Sequence, residues 1–139
     1  MISKKKNIVS LDKFIFKSLY DKKNRYYMKK NPFGKKGDYI TSPSISILFS
    51  EMIAVWIISF WENLGCPKKF NLIELGAGNG EMMKDMVATF QKFPLFERSC
   101  KINILEKSKY LKEIQKKKLK NKNIRWLKNL KELSNSPSI

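Results

Sequence analysis

Two carboxylates and three glycines are the residues of this chain best placed to build a ligand site. Glu74 stands near the end of a short apolar run, Phe70-Asn-Leu-Ile-Glu-Leu75, and glycines follow at 76, 78 and 80 before a helix-like pattern begins. A strand must turn sharply into a helix there. Glycine lets such a turn take positive φ and approach a ligand without a Cβ in the way, and the next helix offers unpaired N–H groups and its positive dipole end. A turn of this composition suits the polar end of a nucleotide-like cofactor; the alternative is a turn that merely packs a strand on a helix.

A second acid stands about one strand-helix unit downstream. Lys101-Ile-Asn-Ile-Leu-Glu106 reads as a strand ending in a carboxylate. In a nucleotide-binding α/β unit the acid at the tip of the second strand accepts hydrogen bonds from ribose hydroxyls. That role falls to Glu106, unless it is an ordinary solvated strand end. The glycine spacing differs from the dinucleotide fingerprint G-x-G-x-x-G. Glu-x-Gly-x-Gly-x-Gly is instead similar to the pattern of class I S-adenosylmethionine-dependent methyltransferases.

The composition narrows the chemistry. The chain has 139 residues, no histidine and two cysteines, Cys66 and Cys100, too far apart for a C-x-x-C pair. Zinc sites of the usual kind, Ser-His or Cys-His nucleophiles and a histidine base are therefore excluded. Carboxylates, amides, hydroxyls or a cofactor must do any work, and no metal is expected. The net charge of +17 invites a nucleic-acid reading, yet only Arg25, Arg98 and Arg125 among 29 basic residues are arginine. Base and phosphate readers usually recruit arginine's bidentate fork, so no specific nucleic-acid partner is expected. The dense run Lys116–Lys122 reads as a solvated helix end. Unpaired cysteines, and a basic start, Met1–Lys6, with no apolar leader behind it, point to a cytoplasmic chain.

The elements that position these residues follow from periodicity. Leu11, Ile15 and Leu19 give an apolar helical stripe from about Ser10 to Tyr20. Tyr26 to Pro43, rich in glycine, proline and aromatics, reads as a loop over a site or as a packed connection. Ser42 as N-cap and Pro43 at the first helical position start a helix that runs to about Asn63 and ends at Gly65 and Pro67. Within it, Met52 to Trp61 is an uncharged run too short for a bilayer, which takes about 20 residues; a buried helix, with no membrane span, is expected. Strands then alternate with helices: Phe70 to Leu75, a helix Gly80 to Phe90 with a methionine stripe facing the core, a strand to Leu105, a helix Lys109 to Leu119, and a strand Asn123 to Leu127. That alternation means a parallel sheet. Leu127 to Leu133 begins a further helix before the tail Ser134–Ile139.

Beyond the glycine turn, Tyr26-Tyr27, Pro32-Phe33-Gly34, Gly37-Asp38-Tyr39-Ile40-Thr41-Ser42-Pro43 and Ile45-Ser46 resemble the signature of the N-terminal part of the MidA-like class I methyltransferases. That family includes the mitochondrial complex I assembly factor that acts as a protein arginine methyltransferase. Glu51, Trp56, Trp61 and Gly65-Cys-Pro67 are similar to the family's long helix and its exit. Leu105-Glu106-Lys-Ser108 with Leu111 and Gln115, and Trp126, are similar to its next segments. Ser44, Ala77, Asn79 and Lys109 depart from the pattern, where the family has glutamate, proline, arginine and proline.

The resemblance implies an α/β fold: an incomplete Rossmann-like class I methyltransferase sheet of the first three parallel strands, preceded by an α-helical N-terminal region. It implies a helical unit over 1–66 with a lid loop at about 25–43, and over 67–139 the first half of a Rossmann-like domain that binds S-adenosyl-L-methionine, truncated before the fourth strand. Cofactor-binding residues would be Glu74, Gly76, Gly78, Asn79, Gly80 and Glu106, with Gly37, Asp38, Thr41 and Ser42 from the lid. Catalytic residues would lie beyond Ile139. The substrate would be a protein arginine, in a respiratory complex I subunit. The alternatives are a non-catalytic assembly or interaction module on the same fold and a basic RNA-binding remnant. One edge of Phe70–Leu75 is expected to lie unpaired and to recruit a second copy or a C-terminal half.

Overall fold

A computed structural model describes residues 8–20, 26–29, 31–34, 37–120 and 123–139. The basic start, Arg25 and the last two residues of the lysine run, Asn121 and Lys122, lie outside the described residues. Among the described residues seven α-helices and three strands follow in order: α1 (Leu11–Tyr20), α2 (Tyr26–Lys29), α3 (Ser42–Ile45), α4 (Ile47–Asn63), β1 (Phe70–Leu75), α5 (Glu81–Phe90), α6 (Pro94–Ser99), β2 (Cys100–Leu105), α7 (Lys109–Lys118) and β3 (Ile124–Leu127), with a 3-10 turn at Leu130–Glu132. The strands form one parallel sheet in the order β1-β2-β3. Phe70 pairs with Cys100 and Leu75 with Leu105, and Ile102 pairs with Ile124 on the other side. These are the three parallel strands and the helical lead-in that the sequence predicts.

Alternation along the strands separates two faces. Phe70 and Leu72 of β1 and Ile104 of β2 are buried under α4 and α5 with Ala54, Ile57, Trp61, Met83, Met86 and Phe90. The methionine stripe is therefore core, with Met82 at its margin. No periodicity marks α6, yet it carries a large core residue: Phe96 lies 4.8 Å from the Phe90 ring, 5.5 Å from Trp61 and 6.1 Å from Phe70, centroid to centroid. Pro94 in its first turn supplies the preset φ that starts so short a helix.

The structure refines the other elements. The helix drawn from Ser42 to Asn63 is two helices, because Ser46 is extended at φ −144° and ψ 126°. Thr41, not Ser42, is the N-cap of the first piece, and serines at 42, 44 and 46 compete with the helix for backbone partners. The uncharged run of α4 is buried on one side alone: Ala54, Ile57, Ile58 and Trp61 face inward, while Met52 is 66% and Trp56 57% exposed. Among the described residues no helix is long and apolar enough to cross a membrane. The stripe of α1 forms its helix but leaves Leu11, Phe14 and Ile15 exposed. After Leu127, only the single 3-10 turn appears where a further helix was expected.

The outer edge of β1 is also not bare. The tail lies parallel to it: Asn71 N–H donates to Pro137 O (2.8 Å), Ile139 N–H to Asn71 O (3.0 Å) and Ile73 N–H to Ile139 O (2.8 Å). The buried Asn71 amide donates to Ser134 O, Ser134 Oγ and Ser138 Oγ, each at 3.2 Å. The edge is closed as far as Ile73, and Leu75 beyond it is 65% exposed. Removing residues 134–139 should therefore lower stability by about 3 kcal/mol, roughly 1 kcal/mol for each ladder bond lost, and promote self-association through the freed edge. Thermal melting and sedimentation velocity at several concentrations check this; an unchanged midpoint with a monomer throughout refutes it.

Candidate functional site

Glu74 is half-buried, with its Oε2 withdrawn from water, because of where β1 places it. It follows Phe70 and Leu72 on the core-facing side, two residues beyond the last apolar one, and the register sets it opposite Ile104. Pairing continues one step past the strand, since Gly76 N–H donates to Leu105 O at 2.9 Å. Glu106, next after Leu105, thus leaves the sheet beside the glycine turn. The turn itself has Gly76, Gly78 and Gly80 at φ +74°, +52° and +77°, a left-handed alternation that side chains resist. Asn79 Oδ1 accepts from Glu81 N–H at 3.3 Å and so begins α5, and Glu81 pairs with Lys118 of α7.

Two hollows flank this turn. One, of about 140 Å³, is lined by Glu74, Asn79, Thr41, Met82 and the ring of Phe33. The other, of about 200 Å³, is lined by Glu106, Tyr20, Tyr27, Leu111 and again Phe33. Gly76 and Gly78 border both. Phe33 is the partition: a Cβ on Gly78 would stand 3.3 Å from its ring, and the ring stacks with Tyr27 at 6.2 Å. Larger hollows lie along α1, about 790 Å³ beside Phe16 and Lys17, and on the far sheet face, about 290 Å³ beside Asn71 and Arg125. Neither adjoins the glycine turn. On the far face Arg125 is engaged with Glu132 and Asn71 with Ser134.

The electrostatics of the two acids differ. Burial, and then the nearby Glu106 charge, push the Glu74 carboxyl up to about 7. Its Oε2 is buried without a hydrogen-bond partner among the described residues. Glu106 is better served: Ser108 N–H donates to Oε1 at 2.8 Å, and the Gln115 amide to Oε2 at 3.0 Å. Buried polar atoms are almost always satisfied; among the described residues Ser50 Oγ and this oxygen are the side-chain exceptions, and of the two residues Glu74 lines the hollow beside the glycine turn. The direction in which a Cβ on Gly76 would point is open, with nothing within 4 Å.

Of the sequence-predicted residues, the structure brings Glu74, Gly76, Gly78, Asn79, Thr41 and Glu106 to these hollows. Four others line neither. Gly80 packs α5 against α7, its Cβ position 3.5 Å from Gln115 Cγ. Gly37 is a glycine for steric reasons, since a Cβ would sit 2.3 Å from Pro32 O in the turn that pairs Phe33 with Tyr39. Asp38 accepts the Tyr26 hydroxyl at 2.6 Å, and Ser42 starts α3, its carbonyl accepting from Ser46 N–H. Phe33, Tyr27 and Met82 were missed as site residues; an aromatic in a glycine-rich loop was the available signal.

Comparison with known proteins bears on this geometry. A family model described as S-adenosyl-L-methionine-dependent methyltransferase matches residues 52–139. Among similar curated proteins, protein arginine methyltransferase NDUFAF7 of Xenopus laevis is 41% identical over 101 residues, covering 71% of this chain and 23% of that protein. Its Homo sapiens counterpart is 39% identical over 92 residues, 65% of this chain and 21% of that protein. The chain thus spans about a fifth to a quarter of the length of the curated relatives it matches. A crystal structure of a COG1565 superfamily member from Burkholderia thailandensis, bound to S-adenosyl-homocysteine, superposes with a TM-score of 0.73 at 21% identity, covering 88% of this chain and 33% of that one; it shows the shared fold.

The cytoplasmic expectation is overturned by these relatives, which are named as mitochondrial proteins. Unpaired cysteines indicate a reducing surrounding without saying which compartment supplies it.

Glu74 gives the site a measurable signature. In the unfolded chain it ionises near its ordinary value of 4.5, in the folded chain only near 7. Its contribution is therefore neutral below the first value and increasingly unfavourable as pH rises to the second. Glu74→Gln should leave stability unchanged near pH 4 and raise it by on the order of 2 kcal/mol near pH 8. Urea denaturation at both pH values decides; equal effects at the two would remove the buried, partnerless carboxylate.

Proposed function

The chain belongs to the S-adenosyl-L-methionine-dependent methyltransferase family that matches residues 52–139, and from that membership we propose that its paired hollows bind S-adenosyl-L-methionine for methyl transfer to a protein arginine. The single observation that carries the reading is the buried, partnerless Glu74 oxygen beside a turn of three left-handed glycines. Glu74 offers its oxygen to the ammonium end of the cofactor, and the glycine turn, at the start of α5, offers N–H groups and the helix's positive end to the carboxylate end. Glu106, oriented by two donors of its own, accepts the ribose hydroxyls. When bound, the cofactor supplies an electrophilic methyl group on a sulfonium. The chain's share is to hold it and keep it dry, with Phe33 and Tyr27 as the covering aromatics.

The acceptor reading comes from the relatives, which are named protein arginine methyltransferases. A guanidinium must be oriented by carboxylates, and both acids of this site are committed to the cofactor. The groups that orient the substrate are assigned to the portion that the longer relatives have and this chain does not span, and the acceptor to a subunit of respiratory complex I. A non-catalytic interaction role on the same fold finds support in one feature, the exposed outer face of α4 at Met52 and Trp56.

Calorimetry with S-adenosylhomocysteine separates the two. Binding is expected, strengthening as pH rises toward about 7 as Glu74 loses its proton. Glu106→Ala should weaken it tenfold to a hundredfold, the size of a lost charge-assisted hydrogen bond. Absence of binding at every pH, or a Glu106→Ala variant that binds as well as the unsubstituted chain, rejects the cofactor site.

A further inference from the structure

From the hydrogen bonds of one buried amide we infer that Gln115 is a positioning residue that locks the glycine turn and Glu106 at a fixed separation, so that both grip one ligand. The inference rests on the cofactor reading above and deepens it. Gln115 lies on α7, fully buried. Its Nε2 donates to Gly78 O at 2.9 Å and to Glu106 Oε2 at 3.0 Å, while its Oε1 accepts from the Trp126 indole N–H at 3.0 Å. One side chain therefore joins the turn after β1, the acid after β2 and a residue of β3.

The roles cannot be exchanged. A carbonyl and a carboxylate only accept, and an indole N–H only donates. The Trp126 bond fixes which way the amide faces, and both amide hydrogens are then directed at Gly78 and Glu106. A side chain there must offer one acceptor and two donors at glutamine's reach. Leucine and methionine have no donor, lysine has no acceptor, and an ionised glutamate would meet Glu106 with like charge.

The consequence for the site is geometric. Drawing the Gly78 carbonyl toward α7 sends the N–H of Asn79 the opposite way across the trans peptide plane. Holding Glu106 Oε2, while Ser108 N–H holds Oε1, fixes the carboxylate's rotamer. Ser108 Oγ in turn donates to Tyr27 O, so the same cluster ties down an aromatic of the cover. A ligand meets two preset grips in place of two that must be ordered on binding.

Three variants of the chain test this. Gln115→Met keeps bulk and removes both donors; Gln115→Glu keeps the acceptor and regains one donor only when protonated; Trp126→Phe removes the indole N–H alone. Without ligand, amide hydrogen exchange at Gly76 to Gly80 should quicken at least about tenfold in Gln115→Met, the loss of one or two buried bonds, with α4 amides unchanged. S-adenosylhomocysteine affinity should fall tenfold to a hundredfold in Gln115→Met and less in Trp126→Phe. For Gln115→Glu, affinity relative to the unsubstituted chain at the same pH should be lowest near pH 8 and recover toward pH 5.5, a comparison in which Glu74's own titration cancels. Unchanged turn exchange in Gln115→Met, or a Gln115→Glu ratio flat with pH, overturns the inference. If the unsubstituted chain binds no S-adenosylhomocysteine while turn exchange responds as expected, the cofactor reading fails and the locking role stands.

Discussion

The parallel register of β1 and β2, carried one bond past the strands by Gly76 N–H on Leu105 O, is the constraint on which the rest of this architecture depends. A side-chain period of two makes register an all-or-none choice. Slipped by one residue, Phe70 and Leu72 would leave the core and Glu74 would turn to the opposite face. The apolar residues that drive burial therefore also place the acid, and the adjacent strand delivers Glu106 to the same end of the sheet. The core stabilises the site without touching a ligand.

That arrangement carries a cost of its own. A carboxylate on the buried side of a strand, close to a second carboxylate, resists ionisation, and Glu74 does so. The fold tolerates it because the neighbouring acid is fully served by Ser108 and Gln115, leaving one unsatisfied oxygen rather than a cluster. Among the described residues the buried side-chain oxygens without a partner are two, Ser50 Oγ in α4 and Glu74 Oε2 at the mouth of the glycine turn. A cationic or hydrogen-donating group from outside is the remedy that the geometry allows.

How much of this was legible in the sequence follows from the range of each signal. Glu74, the glycines and Glu106 were readable because strand alternation, turn chemistry and strand-end position are local rules. The three strands and most helix ends followed from the same periods. Gln115 entered as one residue of the family pattern with no role attached: a polar residue on an amphipathic helix becomes a hub only through partners 37, 9 and 11 residues away. The break at Ser46 was set by a run of weak helix formers that the flanking apolar pattern masked. The tail on β1 depends on Asn71, which read as one polar residue inside a strand and is in fact the anchor for Ser134 and Ser138. Compartment was misread because cysteine state reports redox surroundings and not address.

Phe33 supplies the last link between cover and site. Glu74 opens to one hollow and Glu106 to the other, and the ring of Phe33 stands between them over Gly78. A molecule that engages both acids must pass this ring or displace it. The turn that carries the ring is held at its own base, where Gly37 is wedged under Pro32 and Tyr39 N–H donates to Pro32 O at 2.9 Å. Motion of the ring is therefore a matter of its own torsions and of its stack with Tyr27, whose carbonyl is tied to Ser108 beside Glu106. The aromatic cover and Glu106 share one hydrogen-bonded cluster, so displacing the ring disturbs the stack that rests on it.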